Sequence, residues 1–290
     1  MQLTDTFIFG LTLGGAYALV ALGLNLQYGV ARILNLAYGE MLIAAAMATL
    51  VMFVNWQFSP LLAIFVLAPI GAIIGALLYR YAFLPLVQRS RNEEQLEADS
   101  ILSTFGLLFV IQGIMLAFFG GDYMSYSFLS VPIKFLGTTI AVNRLWALGL
   151  AVVFSAALYF VLTHTRIGTA LRAVAVNPAS APLVGINVVR IAMLGFALGT
   201  GLVALAGVVI SMFNTFNATM GVMFTMKALI VVIMGGVGNF AGGVFAALLL
   251  GLVESFVSVY IDPALTLAAN YAIFLLVLIF RPAGLFGRVA

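Results

Sequence analysis

Catalysis needs acids, bases, nucleophiles or metal ligands within reach of one another, and this chain offers few. It has no cysteine and one histidine, His164, in 290 residues. That excludes a thiolate nucleophile, a disulfide framework and a multi-His or thiolate metal centre within the chain. No HExxH pattern occurs, and no two carboxylates have catalytic spacing. His164 stands in a loop beside Arg166 and reads as an interfacial residue, not as a base or ligand. The stretch GGVGNFAGG at 235–243 resembles a phosphate-binding loop in its glycines. It lacks the Gly-Lys-Ser/Thr ending and a preceding strand, so ATP is not bound here by that motif. Asn239 within it offers a donor and an acceptor. Irregular backbone at membrane depth is tolerated when packed in protein or facing a wet cavity. Both a pathway-lining role and a tight turn between helices therefore stay open.

Two carboxylates fall inside apolar runs, where charge is costly and marks function by default. Glu40 follows NLAYG at the head of one run, a place that suits the positive end of a helix dipole. Alternatively, Asn35, Tyr38 and Glu40 form a polar gate or hinge at the cytoplasmic mouth. Glu254 lies in the outer part of a later run, with no basic residue near it in sequence. It reaches the interface, pairs with a polar neighbour or lines a cavity. Asn214, Thr215, Asn217 and Thr219 read as loop residues or as an outer vestibule.

The elements that position these residues must be membrane helices. The composition is 64% hydrophobic and 7% charged, with a mean hydropathy of +1.23, whereas soluble domains carry about 25% charge. Long continuous apolar runs select a helix bundle over a barrel. Nine candidate spans lie at about 6–27, 38–56, 60–82, 100–119, 145–163, 191–213, 223–236, 240–260 and 265–281. The seventh is short and ends in glycines, as a half-helix or re-entrant turn would. The start has no Lys or Arg before its apolar run and reads as a first membrane helix, not a signal peptide. The expectation is an all-α polytopic bundle of eight or nine spans in a single domain, 1–290. A net charge of +3, widely spread, does not suggest nucleic acid.

Orientation follows the Lys/Arg bias of the loops. With nine crossings and 83–99 and 164–190 facing the cytoplasm, the N-terminus lies outside and the C-terminus inside. The inside then collects Arg32, Arg80, Arg89, Arg91, Arg166, Arg172, Arg190, Arg281 and Arg288. The outside keeps Lys134 and Arg144, with Lys227 near that boundary. The loop at 83–99 mixes both signs and reads as a solvated connector. The loop at 120–144 is rich in Tyr, Ser and Thr and long enough for some structure of its own. The segment 164–190 holds Arg166, Arg172, Arg190 and His164 and no acidic residue. A helix-competent run, a proline break and a turn predict two short helical pieces forming a compact bump, apolar and rimmed by arginine.

Glycines recur four apart at Gly10 and Gly14, Gly71 and Gly75, and Gly195 and Gly199. That spacing lets helix backbones approach closely. GLTLG at 10–14 is echoed by GFALG at 195–199, on helices that run in opposite directions in the nine-span reading. This is the pattern of an inverted repeat.

Four blocks carry a family resemblance: GLTLGGAYALVALGLNLQYGV with ILNLAYGE (10–40), RIGTALRAVAVNPASAPLVGINVVR (166–190), MKALIVVIMGGVGNFAGGVFAALLLGLVES (226–255) and RPAGLFGR (281–288). In order and spacing the chain resembles LivH-like permeases of bacterial branched-chain amino-acid ABC importers. The resemblance implies a multi-pass inner-membrane permease that needs no cofactor and performs no bond chemistry. It implies a second permease subunit, identical or related, two cytoplasmic ATPase subunits and an extracytoplasmic solute-binding protein. It makes 164–190 the ATPase-coupling loop, with Arg166, Gly168, Arg172, Asn177, Gly185, Ile186 and Asn187 as its contact and shaping residues. Tyr38 stands where the family more often has His, and Pro182 where a helix-compatible residue is usual. Urea, short amides or other small polar solutes remain alternatives within the family. An ion-coupled secondary transporter is an alternative from another class, for which Glu254 would be the one clear intramembrane group.

Overall fold

A computed structural model describes residues 3–135 and 138–287, so Arg288 lies outside the described residues. The helices in chain order begin with α1 (Leu3–Ala31), α2 (Tyr38–Trp56) and α3 (Pro60–Leu78). They continue with α4 (Leu84–Arg89), α5 (Glu93–Phe119), α6 (Val142–His164), α7 (Arg166–Val176) and α8 (Val188–Ser211). The last are α9 (Gly221–Gly235), α10 (Phe240–Tyr260) and α11 (Thr266–Phe280). Among the described residues, eight helices are long and apolar enough to cross a membrane, α3 and α4 counting as one. The seventh expected span is α9, with 15 residues. At 1.5 Å per residue it covers about 22 Å, short of a hydrocarbon core of about 30 Å.

Local chemistry explains the breaks. Pro85 has no N–H to offer the Tyr81 carbonyl. Just before it the chain takes a wide π turn at Tyr79–Phe83, in which Leu84 N–H donates to the Tyr79 carbonyl. Side chains cap α5 (Asn92), α7 (Thr165), α8 (Asn187) and α10 (Asn239), each accepting from a backbone N–H of the first turn. The loop after α5 folds into an antiparallel hairpin, β1 (Pro132–Phe135) and β2 (Thr138–Ala141), with Ile133 opposite Ile140.

The core is built on α1 and α8, which run antiparallel through the centre. Gly23 lies against Gly199 and Leu202, Gln27 against Phe196 and Thr200, and Val30 against Gly195. On α1, Gly10 and Gly14 face Leu252 and Leu248 of α10. On α3, Gly71 and Gly75 face Ala204 and Thr200 of α8. The main contacts are α1 with α10, α3 with α8, α1 with α8 and α2 with α8 and α9. When α1, α2 and α3 are exchanged for α8, α9 and α10, the α1–α10 and α3–α8 contacts map onto each other and the α1–α8 and α2–α9 contacts onto themselves. Each half sends its first helix to pack on the third helix of the other. Around this core, α5, α6, α11 and the outer side of α3 present large apolar side chains such as Phe65, Leu102, Phe118, Phe160 and Ile279. That surface suits lipid.

Candidate functional site

Three polar regions interrupt the apolar bundle. The first lies at its centre. The chain leaves α1 at Arg32 and passes inward through a buried loop, and α2 begins inside the bundle. Tyr38 donates to the Gly199 carbonyl at 3.0 Å. Gly199 is twelfth in α8, roughly 16 Å along that helix. Asn35 Nδ2 donates to Gln27 Oε1 (3.2 Å), and Gln27 Nε2 donates to Thr200 Oγ1 (2.8 Å) and to the Phe196 carbonyl (3.3 Å). Asn35, Tyr38 and Glu40 are all fully buried. The three sit in the interior, where the inward loop carries them, and Asn35 and Tyr38 bond to α1 and α8. The phenol of Tyr38 occupies the gap left by Gly23.

The second region was not legible from sequence neighbours. Lys227 of α9 donates to Glu254 of α10 at 2.7 Å and 2.9 Å, to its two carboxylate oxygens. Lys227 also donates to Tyr17 Oη of α1 (2.7 Å) and lies over the Tyr17 ring. Glu254 accepts further from Tyr17 (3.1 Å) and from Asn270 Nδ2 of α11 (3.2 Å). Four helices are thus tied through one ion pair. Of the three roles open to Glu254, the structure shows pairing, with a partner 27 residues upstream on another helix. A usable signal existed, since Lys227 and Glu254 are opposite charges in adjacent apolar runs and neither can stay unpaired in lipid. Tyr17, Asn270, Gln27, Thr200 and Thr225 gave no such signal.

The third region is the surface of 164–190, between α6 and α8. Thr165 caps α7 by accepting from Gly168 N–H at 3.1 Å. Gly168 packs on the backbone of Val161 and Leu162, where a Cβ would not fit. Leu171 and Val174 face inward. Asn177 ends α7 and accepts from the N–H groups of Ala179 and Ser180, turning the chain. A 3-10 turn, Ala181–Val184, follows. Pro182 fits because it lies in the first turn, where its missing N–H has no helical partner. Gly185 closes the turn at φ +78°, the left-handed region that favours glycine. Ile186 N–H returns to the Ala181 carbonyl, and Asn187 caps α8. The outcome is a bump with Val176, Leu183 and Val184 exposed at 83%, 86% and 74%. Arg166, Arg172 and Arg190 are exposed around it. Arg32, at the end of α1, donates to the Ala175 carbonyl of α7 (3.4 Å) and so links the bump to the inward loop.

Asn239 sits in a tight turn. It accepts from Gly242 N–H (2.9 Å) as the cap of α10 and donates to the Phe286 carbonyl (2.9 Å). Gly236 and Gly238, just before it, have positive φ. Asn25 of α1 closes the turn by accepting from Gly238 N–H at 2.7 Å. Asn239→Ala is expected to cost about 1 kcal/mol, the usual value of a lost N-cap, read as a lower unfolding midpoint of the purified protein. On the opposite side of the bundle, Tyr126 shares a hydrogen bond with Ser211 at 2.8 Å. Burial pushes its pKa up to about 12 against the opposing effect of that bond, so the phenol is neutral at physiological pH. A cavity of about 500 Å³ opens between α1, α6 and α10, walled by apolar groups such as Leu22, Val152, Val244 and Phe245. Ser155 and Tyr159 bring the only side-chain hydroxyls to its otherwise apolar lining, and no charged group lines it.

Comparison with known proteins agrees with this architecture. The family described as branched-chain amino acid transport system / permease component matches residues 6–281. The chain is 31% identical to the high-affinity branched-chain amino acid transport system permease protein LivH of Salmonella typhimurium, over 96% of this chain and 94% of that protein. It is 28% identical to the corresponding permease protein BraD of Pseudomonas aeruginosa, with the same coverage of each. It is 26% identical to the ribose import permease protein RbsC of Escherichia coli K12, over 82% of this chain and 73% of that one. No solved structure matches. The match runs from the first turns of α1 to the residue after α11 and takes in all three polar regions, so the chain belongs to the family of branched-chain amino acid transport system permease components.

Proposed function

We propose that this chain is a membrane-spanning subunit of an ABC importer in the inner membrane, taking up branched-chain amino acids. The family match over nearly the entire chain carries the reading. An extracytoplasmic binding protein delivers the solute, and a second permease subunit, identical or related, completes the pathway. Two cytoplasmic ATPase subunits supply the energy. The chain itself makes and breaks no covalent bond. The N-terminus lies outside and the C-terminus inside, with the arginine-rich face and the 164–190 bump in the cytoplasm, as the Lys/Arg bias requires.

The bump is the ATPase-coupling element. Its exposed Val176, Leu183 and Val184 form an apolar centre, and its arginines a basic rim with no ion-pair partner among the described residues. Apolar anchors inside a charged rim are the anatomy of a protein interface. A push on α7 is passed to α6 through Gly168, to α8 through Leu171 and to the end of α1 through the Arg32–Ala175 bond. From there it reaches the loop that carries Asn35 and Tyr38. Switching between outward and inward access is the movement of that interior junction.

Arg172→Glu is expected to lower co-purification with the ATPase subunits and coupled uptake by roughly tenfold, equivalent to about 1.4 kcal/mol. The amount of inserted protein should stay unchanged. Wild-type uptake by the inserted variant would overturn the docking role. A second reading, a permease for another small polar solute, is favoured by the kinship to the ribose permease. Uptake by the reconstituted complex of leucine, isoleucine and valine, against urea, short amides and ribose, decides between them.

A further inference from the structure

Two helices begin inside the bundle, and their first turns meet. Gly39 N–H donates to Thr225 Oγ1 (2.8 Å), and Thr225 Oγ1 donates to the Leu36 carbonyl (3.1 Å), joining the start of α2 to the start of α9. Every helix N-terminus carries roughly half a positive unit charge and several N–H groups without intrahelical partners. Facing each other in a low-dielectric interior, two such ends repel. The helices that start at the arginine-rich face, α5, α7, α8 and α10, each have an Asn or Thr cap. The interior starts of α2 and α9 have Ala37 and Met220 at the cap position and no side-chain cap.

Glu40 lies at this junction. It is the third residue of α2 and is 0% exposed. Neither carboxylate oxygen has a hydrogen-bond partner among the described residues. The carboxyl group packs on Gly221, the first residue of α9, so closely that a Cβ there would coincide with it. No basic side chain is paired with it, since Lys227 is committed to Glu254. Two helix ends of roughly half a unit each sum to about one positive charge, and one ionised carboxylate balances it.

We infer that Glu40 is an ionised, shared anionic cap that neutralises the facing N-terminal ends of α2 and α9 and holds the two broken helices together at the centre of the bundle. It is a positioning residue. It sets the α2–α9 junction and touches no solute. The consequence for transport rests on the permease reading, and the consequence for helix proximity does not.

The test moves the charge from one helix to the other. In a Glu40→Ala background, Gly221→Asp puts a carboxylate into the vacated space from the α9 side, and Gly221→Asn puts a neutral group of the same shape there. The chain has no native cysteine, so a cysteine pair introduced into the first turns of α2 and α9 reports their proximity by cross-linking without background. Glu40→Gln and Glu40→Ala are expected to lower cross-linking and coupled uptake by roughly tenfold or more. Glu40→Ala with Gly221→Asp should restore both, and Glu40→Ala with Gly221→Asn neither. Equal rescue by Asn and Asp, or wild-type behaviour of Glu40→Gln, overturns the inference. If the variants do not accumulate, infrared spectra of the wild-type protein decide. A carboxyl C=O band that resists hydrogen–deuterium exchange at neutral pH overturns the ionised cap, and absence of such a band supports it. Cross-linking that follows the charge, in a protein whose wild type moves no solute with its partners, would sink the importer reading and leave the cap standing.

Discussion

Lys227→Met is expected to destabilise the protein by about 3–5 kcal/mol, the cost of leaving a buried charge without its partner. Glu254 would keep the hydroxyl of Tyr17 and the amide of Asn270 as donors, but no positive charge. In lipid the stranded carboxylate must either take up a proton or draw water into the bundle. The double substitution Lys227→Met with Glu254→Leu removes both charges and replaces them with side chains of similar volume. It should recover most of the loss, because a buried pair contributes little beyond its own desolvation. The check is the unfolding midpoint of the detergent-solubilised protein, with the single and double variants measured side by side. A single variant that melts with the wild type would show that the ion pair is not what ties α9 to α10. A double variant as unstable as the single one would place the stability in the geometry of this particular network, including Tyr17 and Asn270.

The second large effect is expected at the α1–α10 crossing. Gly251→Val would drive a branched side chain into the backbone of Gly14 and the Gly10 carbonyl. The same contact seen from the other helix has no more room: a Cβ on Gly14 would lie 2.7 Å from the Leu248 Cα. Neither obstacle is the end of a flexible side chain, so the helices themselves must separate. Overpacking of this kind costs about 3 kcal/mol, at the upper end of the usual range. It also pulls α10, and Glu254 with it, away from Tyr17. Gly106 of α5 is the control. Nothing lies within 4 Å of a Cβ there, and Gly106→Ala should leave the unfolding midpoint within about 0.5 kcal/mol of the wild type. If both substitutions behaved alike, glycine would matter in this chain for helix propensity and not for close approach.

Much of the frame is visible in the residues themselves. Apolar length and arginine placement give the spans and the two faces. The pairs Gly10–Gly14 and Gly71–Gly75 fall at helix crossings because only a missing Cβ allows the backbones that close. The apolar run before GGVG reads as too short for a full span, and α9 has 15 residues. Thr165, Asn177, Gly185 and Asn187 shape the basic bump by local hydrogen bonds and one left-handed turn, which short-range rules describe well. What could not be read is how non-neighbouring helices share their polar groups. Lys227 and Glu254 meet only because α9 and α10 pack together. Asn214, Thr215, Asn217 and Thr219 read as loop residues or an outer vestibule, yet Phe216 and Ala218 among them are buried and the segment carries the chain inward to start α9. Glu40 therefore looked like the ornament of one helix end, while its surroundings belong to two.

The exchange of first helices between the two halves has a consequence for biosynthesis. Ser255 of α10 donates to the Thr6 carbonyl of α1, across 249 residues of chain. At translation rates of about 5–20 residues per second, α1 waits on the order of 10–50 s for the helix that finally covers its glycine face. The first half cannot close on itself in the meantime, because its third helix is shaped for α8, which is also still to come. A ribosome stalled midway leaves two unmated glycine faces in the bilayer, a ready mark for membrane quality control, and the protein becomes a single folded body only when its last quarter is inserted.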